Sequence, residues 1–297
     1  MLLKRRKATS MFFLEIKADD KNYKKSEFVI LPCPYEKTTS YGKGTQKGPE
    51  AIIKASKYLE AFDEELAIEP SVAGIYTENP VSISTLYSKT LKTLKNNKRP
   101  IILGGEHSLS VEAVRAARKI YPDLSVLCFD AHADLRNKYQ GNKQSHACTV
   151  RRILEICPVV QVGVRSLSRE EFDFAETSGQ IKKIFFHNTV HCKPYTVNPL
   201  RYTAHDIKKL ISLLSKNIYI SFDVDVFDPS VMPSTGTPEP GGFFWNDILV
   251  LLKQVCKNKN IVGADFVELM PIKNFNAPDY MIAKLIYKLI GYINLQD

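Results

Sequence analysis

Two short segments concentrate side chains that bind metal ions. Asp130, His132 and Asp134 stand at alternate positions where the apolar run 124–129 ends, and Asp223 and Asp225 repeat the pattern after the apolar run 218–222. Extended backbone sends alternate side chains to one side, so each segment is expected to aim its polar groups at one point. Taken singly, an aspartate at a strand end caps a helix or closes an Asx turn, and a lone histidine is a hydrogen-bonded structural residue. Taken together, uncompensated carboxylates at one edge of a sheet would repel one another unless a cation neutralised them. With His107 of the GGEHS segment the set holds four carboxylates and two imidazoles and no thiolate. That donor chemistry suits hard or borderline divalent ions, Mn²⁺ above all, rather than a cysteine-built zinc site. Four carboxylates are too many for one ion and right for two that share oxygens at roughly 3.5–4 Å. Such a pair lowers the pKa of a shared water and so supplies a nucleophile for an electrophilic carbon.

The elements that must carry these groups are legible as short apolar runs bounded by turn residues, at 28–32, 100–103, 124–130, 159–164, 182–186, 218–223 and 261–268. Each is followed by a longer segment, and helical spacing appears at 49–59, 81–95, 109–120, 204–214, 245–256 and 279–292. Strands alternating with helices predict an α/β fold, a three-layer α/β/α sandwich around a mainly parallel sheet. Ligands in such folds bind beyond the carboxyl ends of the strands. GGEHS, DAHAD, DVD and Glu268 all stand at such ends. No Pro/Gly/Ser-rich linker and no repeat divides the chain, so residues 11–297 are expected to form a single domain. The strand-like 11–16 marks its start, with 1–10 a disordered extension.

GGEHS, DAHAD, SFDVDVFDP and the Glu268 strand, in this order, resemble the ureohydrolase family of arginases and agmatinases, from PYEKTTSYGKGTQKGPEAI to the final helix. The resemblance implies an arginase-like fold and two Mn²⁺ per chain. It implies that His107, Asp130, Asp134 and Asp223 hold one ion and Asp130, His132, Asp223 and Asp225 the other, with Asp130 and Asp223 shared. It further implies that Asp134 steers the nucleophile and passes its proton to the leaving amine, that His146 of QSHACTVRR shuttles protons, and that Glu268 binds the substrate. A guanidinium is a planar cation with a fork of donors, which a buried carboxylate such as Glu268 can align bidentately.

Within the family, LRNKYQGNKQSH at 135–146 and STGTPEPGG at 234–242 resemble the agmatinase branch, since arginases carry a Ser/Asn-bearing loop for the substrate α-carboxylate. The expected reaction is hydrolysis of agmatine to putrescine and urea, a step of polyamine biosynthesis. The alternatives are an aminopropylagmatine ureohydrolase giving spermidine, or another guanidino-compound hydrolase such as an arginase or guanidinobutyrase. The family usually forms homotrimers or hexamers. A one-zinc deacetylase of related fold is disfavoured because His107, Asp134 and Asp225 are all present, and a silent binding homologue because no ligand position is lost.

Other features read as structural. Pro238 and Pro240 explain a stiff loop around Glu239. His187 and His191 follow a strand without helical patterning and are loop residues. Phe243, Phe244 and Trp245 open an amphipathic helix as core. Tyr41, Gly42, Gly44 and Gly48 make a loop that, by the resemblance, borders the site's mouth. The net charge of +9 and the pI of 9.1 come from lysines scattered over helical faces beyond the run 4–7, which argues against a nucleic-acid partner. Six separated cysteines, Cys33, Cys128, Cys148, Cys157, Cys192 and Cys256, without a C-x-x-C pair read as buried thiols of a reducing compartment. With no signal-peptide core and no membrane-length apolar run, a cytoplasmic protein with a small-molecule guanidino substrate is expected.

Overall fold

The computed structural model describes residues 12–187 and 202–295. The expected extension 1–10, and His191 and Cys192, lie outside them. The seven apolar runs and one segment that they do not include, 75–77, form eight parallel strands among the described residues: β1 (Phe28–Cys33), β2 (Ile75–Thr77), β3 (Arg99–Gly104), β4 (Ser125–Phe129), β5 (Val159–Val162), β6 (Ile184–Phe185), β7 (Asn217–Asp223) and β8 (Asn260–Val267). They are mainly apolar because both faces are covered. Along β1, Ile30 joins one core while Val29 and Leu31 join the other, as period-two alternation requires.

Helices α2 (Gly48–Ser56), α7 (Ala204–Leu213), α8 (Trp245–Asn258) and α9 (Ala277–Asn294) fill one layer. The opposite layer holds α3 (Ile83–Lys95), α4 (Ser110–Ile120), α5 (Thr149–Leu154) and α6 (Arg169–Ser178), with Tyr23 of the short α1 (Asp20–Lys25) packed beside them. The three-layer α/β/α sandwich is as expected. No helix among the described residues is long and apolar enough to cross a membrane. The five described cysteines are all buried and free.

Met11 lies outside the described residues, and 12–16 are not a strand. Phe13–Glu15 form a 3-10 turn, with Leu14 and Glu15 at φ 55° and 58°. Side chains of neighbouring elements capture the backbone donors there. The Phe13 N–H donates to Thr77 Oγ1 (3.0 Å) and the Leu14 N–H to Ser56 Oγ (2.9 Å), while the Phe13 ring is fully buried.

Strand order decides where the polar residues meet. Across the sheet it runs β2-β1-β3-β8-β7-β4-β5-β6. The chain therefore leaves β3 for β4 with a gap of two strands, which β7 and β8 fill later. The four strands that carry the motifs are consecutive at the centre, and their carboxyl ends open on one crevice.

Candidate metal centre and cleft

The four central strands deliver their terminal residues side by side. His107 stands on a 3-10 turn (His107–Leu109) just past β3, Glu268 follows β8, Asp223 ends β7, and Asp130 follows β4. The close approach behind His107 needs glycine, since a Cβ at Gly105 would lie 2.0 Å from the Tyr35 carbonyl oxygen. All eight site residues nominated from the sequence, His107, Asp130, His132, Asp134, His146, Asp223, Asp225 and Glu268, line one cleft.

Convergence does not come from extended alternation. Asp223 closes a turn by accepting the Asp225 N–H at 2.9 Å, and Val224–Val226 form a 3-10 turn. Beyond β4 the chain also leaves the strand: Asp130 Oδ1 accepts the His132 N–H (2.6 Å), and Asp134 sits at φ 50°. Each acidic side chain thus shapes the turn that presents its neighbour, by the local bonding that favours aspartate in turns.

The His107 ring is 1% exposed and has two differently occupied nitrogens. Nε2 lies 3.0 Å from Ser221 Oγ, whose hydroxyl donates to buried Asp265 (2.9 Å). With the Ser221 hydroxyl committed to Asp265, Nε2 is the donor of the pair, and in the neutral ring Nδ1 turns its lone pair to the carboxylates. Burial opposes charge on the ring, but without a cation Asp130 and Asp134 outweigh it and hold its pKa well above the usual value. Nδ1 is 3.2 Å from both Asp130 Oδ2 and Asp134 Oδ2 and 3.5 Å from Asp223 Oδ2. Neither Nδ1 nor Asp130 Oδ2, both buried, has a hydrogen-bond partner. On the other side, Asp225 Oδ2 lies 2.8 Å from His132 Nδ1 and its Oδ1 accepts the Ala131 N–H at 3.0 Å.

The protonation equilibria have the same cause. Burial, reinforced by Asp225 and Asp134, pushes Asp130 up to about 7, and burial with the same kind of repulsion holds Asp223 well above the carboxylate range. Burial opposes charge on His132, but Asp225 prevails and raises it to about 10. For Asp225, burial acts upward and His132 outweighs it, giving about 2. A cluster in which Asp130 and Asp223 gather protons for want of positive charge, and in which His107 Nδ1 and Asp130 Oδ2 are buried without a hydrogen-bond partner, fits divalent cations. Two sets of donor atoms lie within 4.8 Å of one another, His107/Cys128/Asp130 and Asp130/His132/Asp225, and Asp130 belongs to both. Burial pushes the Cys128 thiol up to about 12, so it stays a neutral neighbour of His107.

Glu268 stands beside His107, although its distance along the chain suggests a place across the pocket. β8 pairs directly with β3, the Glu268 N–H donates to the Gly105 carbonyl (2.7 Å), and Glu268 Oε1 accepts the His107 N–H (2.7 Å). Burial raises its pKa to about 8. His146 begins the turn before α5 and is half-buried at the mouth, with Nδ1 3.2 Å from Thr38 Oγ1 and Nε2 3.5 Å from Ser40 Oγ. Tyr41 and Gly42 line the mouth as expected, and Tyr41 is 83% exposed.

Some residues were not singled out from the sequence. Glu106, fully buried inside GGEHS, accepts from Lys37 N, Thr38 N and Thr38 Oγ1 and so holds the 36–40 loop over the cleft. Asp265 interrupts an apolar strand, a visible signal. Arg136 and Tyr139 also line the cleft, with the guanidinium 5.2 Å from the ring centre. Away from the site, His187 is buried edge-on against Phe243 at 4.6 Å. Phe243 is core and Trp245 packs against it, whereas Phe244 is 43% exposed, because its position caps α8 and turns the side chain outward.

Comparison with known proteins places this geometry among others. The arginase family matches residues 26–291. The N(1)-aminopropylagmatine ureohydrolase of Thermus thermophilus is 37% identical over 287 residues, covering 93% of this chain and 94% of that protein. The agmatinase of Pyrococcus horikoshii is 36% identical over 279 residues, covering 90% and 92%. Among solved structures, the agmatine ureohydrolase of Thermoplasma volcanium superposes with a TM-score of 0.81 at 29% identity, covering 96% of this chain and 95% of that one.

Proposed function

The chain belongs to the arginase family, and from that premise we propose that it hydrolyses agmatine to putrescine and urea with two Mn²⁺ ions. The observation that carries the reading is the pair of buried, unpartnered donors, His107 Nδ1 and Asp130 Oδ2, amid carboxylates in the cleft. His107, Asp130, Asp134 and Asp223 would hold one ion and Asp130, His132, Asp223 and Asp225 the other. When bound, the ions supply Lewis acidity and a water acidified into the neutral range.

The chain's own groups do the rest. Glu268 receives the substrate guanidinium, its second carboxylate oxygen remaining beside the one that accepts from His107. Pairing with that cation stabilises the ionised carboxylate against the burial that raises its pKa. Asp134 orients the nucleophile and moves its proton to the leaving amine. His146, bonded to the Thr38 hydroxyl at the mouth, exchanges protons with solvent. The far end of agmatine is a primary amine, an ammonium at neutral pH, and the cleft wall offers it the hydroxyls of Thr39, Ser40 and Tyr139 as acceptors.

An aminopropyl-extended agmatine, yielding spermidine, is the second reading. It is favoured by the Thermus relative and by a mouth that ends at exposed Tyr41, where a longer tail can pass. We further propose that residues 11–297 act as a single domain in a cytoplasmic homotrimer or hexamer. A panel of agmatine, aminopropylagmatine, guanidinobutyrate and arginine, read by urea release with Mn²⁺ added, tests the assignment. One of the two amines should exceed arginine in kcat/KM by at least about tenfold, the scale of a lost substrate contact. Arginine equal to or above both amines would overturn it.

A further inference from the structure

Past β5 the chain turns at Gly163 (φ 101°), where a Cβ would come within 2.5 Å of Val226 Cγ2 and 3.1 Å of the Asp130 carbonyl oxygen. This turn is pressed against both candidate metal-binding segments, and Arg165 stands two residues after it. Its guanidinium donates to main-chain carbonyls of one of those segments, 225–227, and of the 239–240 loop. Nη2 reaches Asp225 O (2.7 Å), Phe227 O (3.2 Å) and Glu239 O (2.9 Å), Nη1 reaches Val226 O (3.2 Å), and Nε reaches Pro240 O (3.2 Å). The Arg165 N–H itself donates to Ala131 O at 2.8 Å, and the Ala131 N–H in turn donates to Asp225 Oδ1.

We propose that Arg165 is a positioning residue that locks the Asp225 turn to the 234–242 loop, so that the Asp225 side of the metal centre and the cleft wall hold one another in place. The fork of a guanidinium is what allows this. Five N–H donors in one plane can satisfy carbonyls from two segments at once, which an ammonium on a flexible stem cannot. The other contacts of the 224–227 turn are the Phe243 N–H to Val226 O, the Ala131 N–H to Asp225 Oδ1, the His132 ring beside Asp225 Oδ2 and the burial of Val224, Val226 and Phe227 in the core, and none of them reaches the carbonyls of Asp225 and Phe227 that the guanidinium holds. At the other end, the loop held through Glu239 and Pro240 contributes Gly236 and Thr237 to the cleft. It also meets the 36–44 loop where the Gly42 N–H donates to Gly236 O (3.2 Å). A slack Arg165 contact would therefore be felt at Asp225 Oδ2, which faces His132, and at the mouth.

The kinetic part of this inference rests on the ureohydrolase reading; the metal-binding part does not. The experiment is Mn²⁺ titration of the full-length chain in competition with a chelator, for wild type, Arg165→Met and Arg165→Lys, together with KM for agmatine at saturating Mn²⁺. Arg165→Met should weaken one of the two ions by about 10–100-fold, the range typical of lost outer-sphere support. The other ion should stay within about threefold, and KM should rise. Arg165→Lys should fall between, because it restores charge without the fork. Should Arg165→Met not fold, Arg165→Lys supplies the same readings. Unchanged affinities, a parallel weakening of both ions, or full recovery with Lys would overturn the proposal. Absence of urea release by the wild type would count against the function alone and leave the metal titration to decide.

Discussion

Replacing Glu268 by glutamine separates two jobs of one carboxylate, accepting the His107 N–H and the proposed pairing with the guanidinium. Oε1 takes the His107 N–H at 2.7 Å, and the group is 8% exposed. A glutamine amide oxygen can still accept that N–H, so His107 should remain in place and both metal ions should stay bound. What is lost is the negative charge facing the guanidinium. Removing one partner of a buried ion pair costs about 3–5 kcal/mol, which at about 1.36 kcal/mol per tenfold lowers kcat/KM by roughly two to four orders of magnitude. Glu268→Ala is the comparison. It also strips the acceptor from a buried N–H, at about 1–3 kcal/mol, and should loosen the ion on His107 as well. Steady-state urea release and elemental analysis of the same samples read both effects. Near-normal turnover in Glu268→Gln, or loss of its metals, would refute the division of labour.

Further expectations concern the metal pair and the fold. Asp225→Ala should leave one ion tightly bound and the other weak, measured by chelator competition; two ions retained at wild-type affinity would contradict the site assignment. Lys288, 2% exposed with Nζ 3.0 Å from both Asp63 Oδ1 and Glu65 Oε2, joins α9 to the 63–65 turn, and Asp63 is fully buried. Lys288→Met should cost about 3–5 kcal/mol in urea unfolding, and a loss under about 1 kcal/mol would show the network to be dispensable. Burial acts upward on Glu65, but hydrogen bonds from Lys253, Lys288 and Tyr292 outweigh it and bring the pKa to about 2. Its unfolded value is about 4.3, so its contribution is complete above that pH and disappears as pH falls towards 2. In chelated protein, Glu65→Gln should be less stable at pH 6 and lose less stability over that acid window; parallel wild-type and variant curves would be against it.

The central strands could be read from sequence because parallel strands buried on both faces are nearly continuous apolar runs, and the candidate ligands because they stand where those runs stop. Less legible was how the ligands meet. Asp134 at positive φ and the Asp223–Asp225 turn depend on side-chain-to-backbone bonds that a period-two pattern does not contain. The separation of Glu268 from the other motifs along the chain does not foretell its place, which the insertion of β8 beside β3 sets against His107. The three-residue edge strand β2 carries too little pattern to register, and α6 buries only Glu171 and Ala175. Its Ser168/Glu171 capping box was nonetheless present in the sequence as a start signal. Arg165 shows no motif at all, since its partners are carbonyls and any residue supplies those.

The most direct test of a two-ion guanidine hydrolase is urea release from agmatine followed as Mn²⁺ is added to chelated protein of known concentration. Activity should climb to a plateau at two equivalents per chain, with urea and putrescine formed in equal amounts. Full activity at one equivalent, or no urea with both ions bound, would contradict the account.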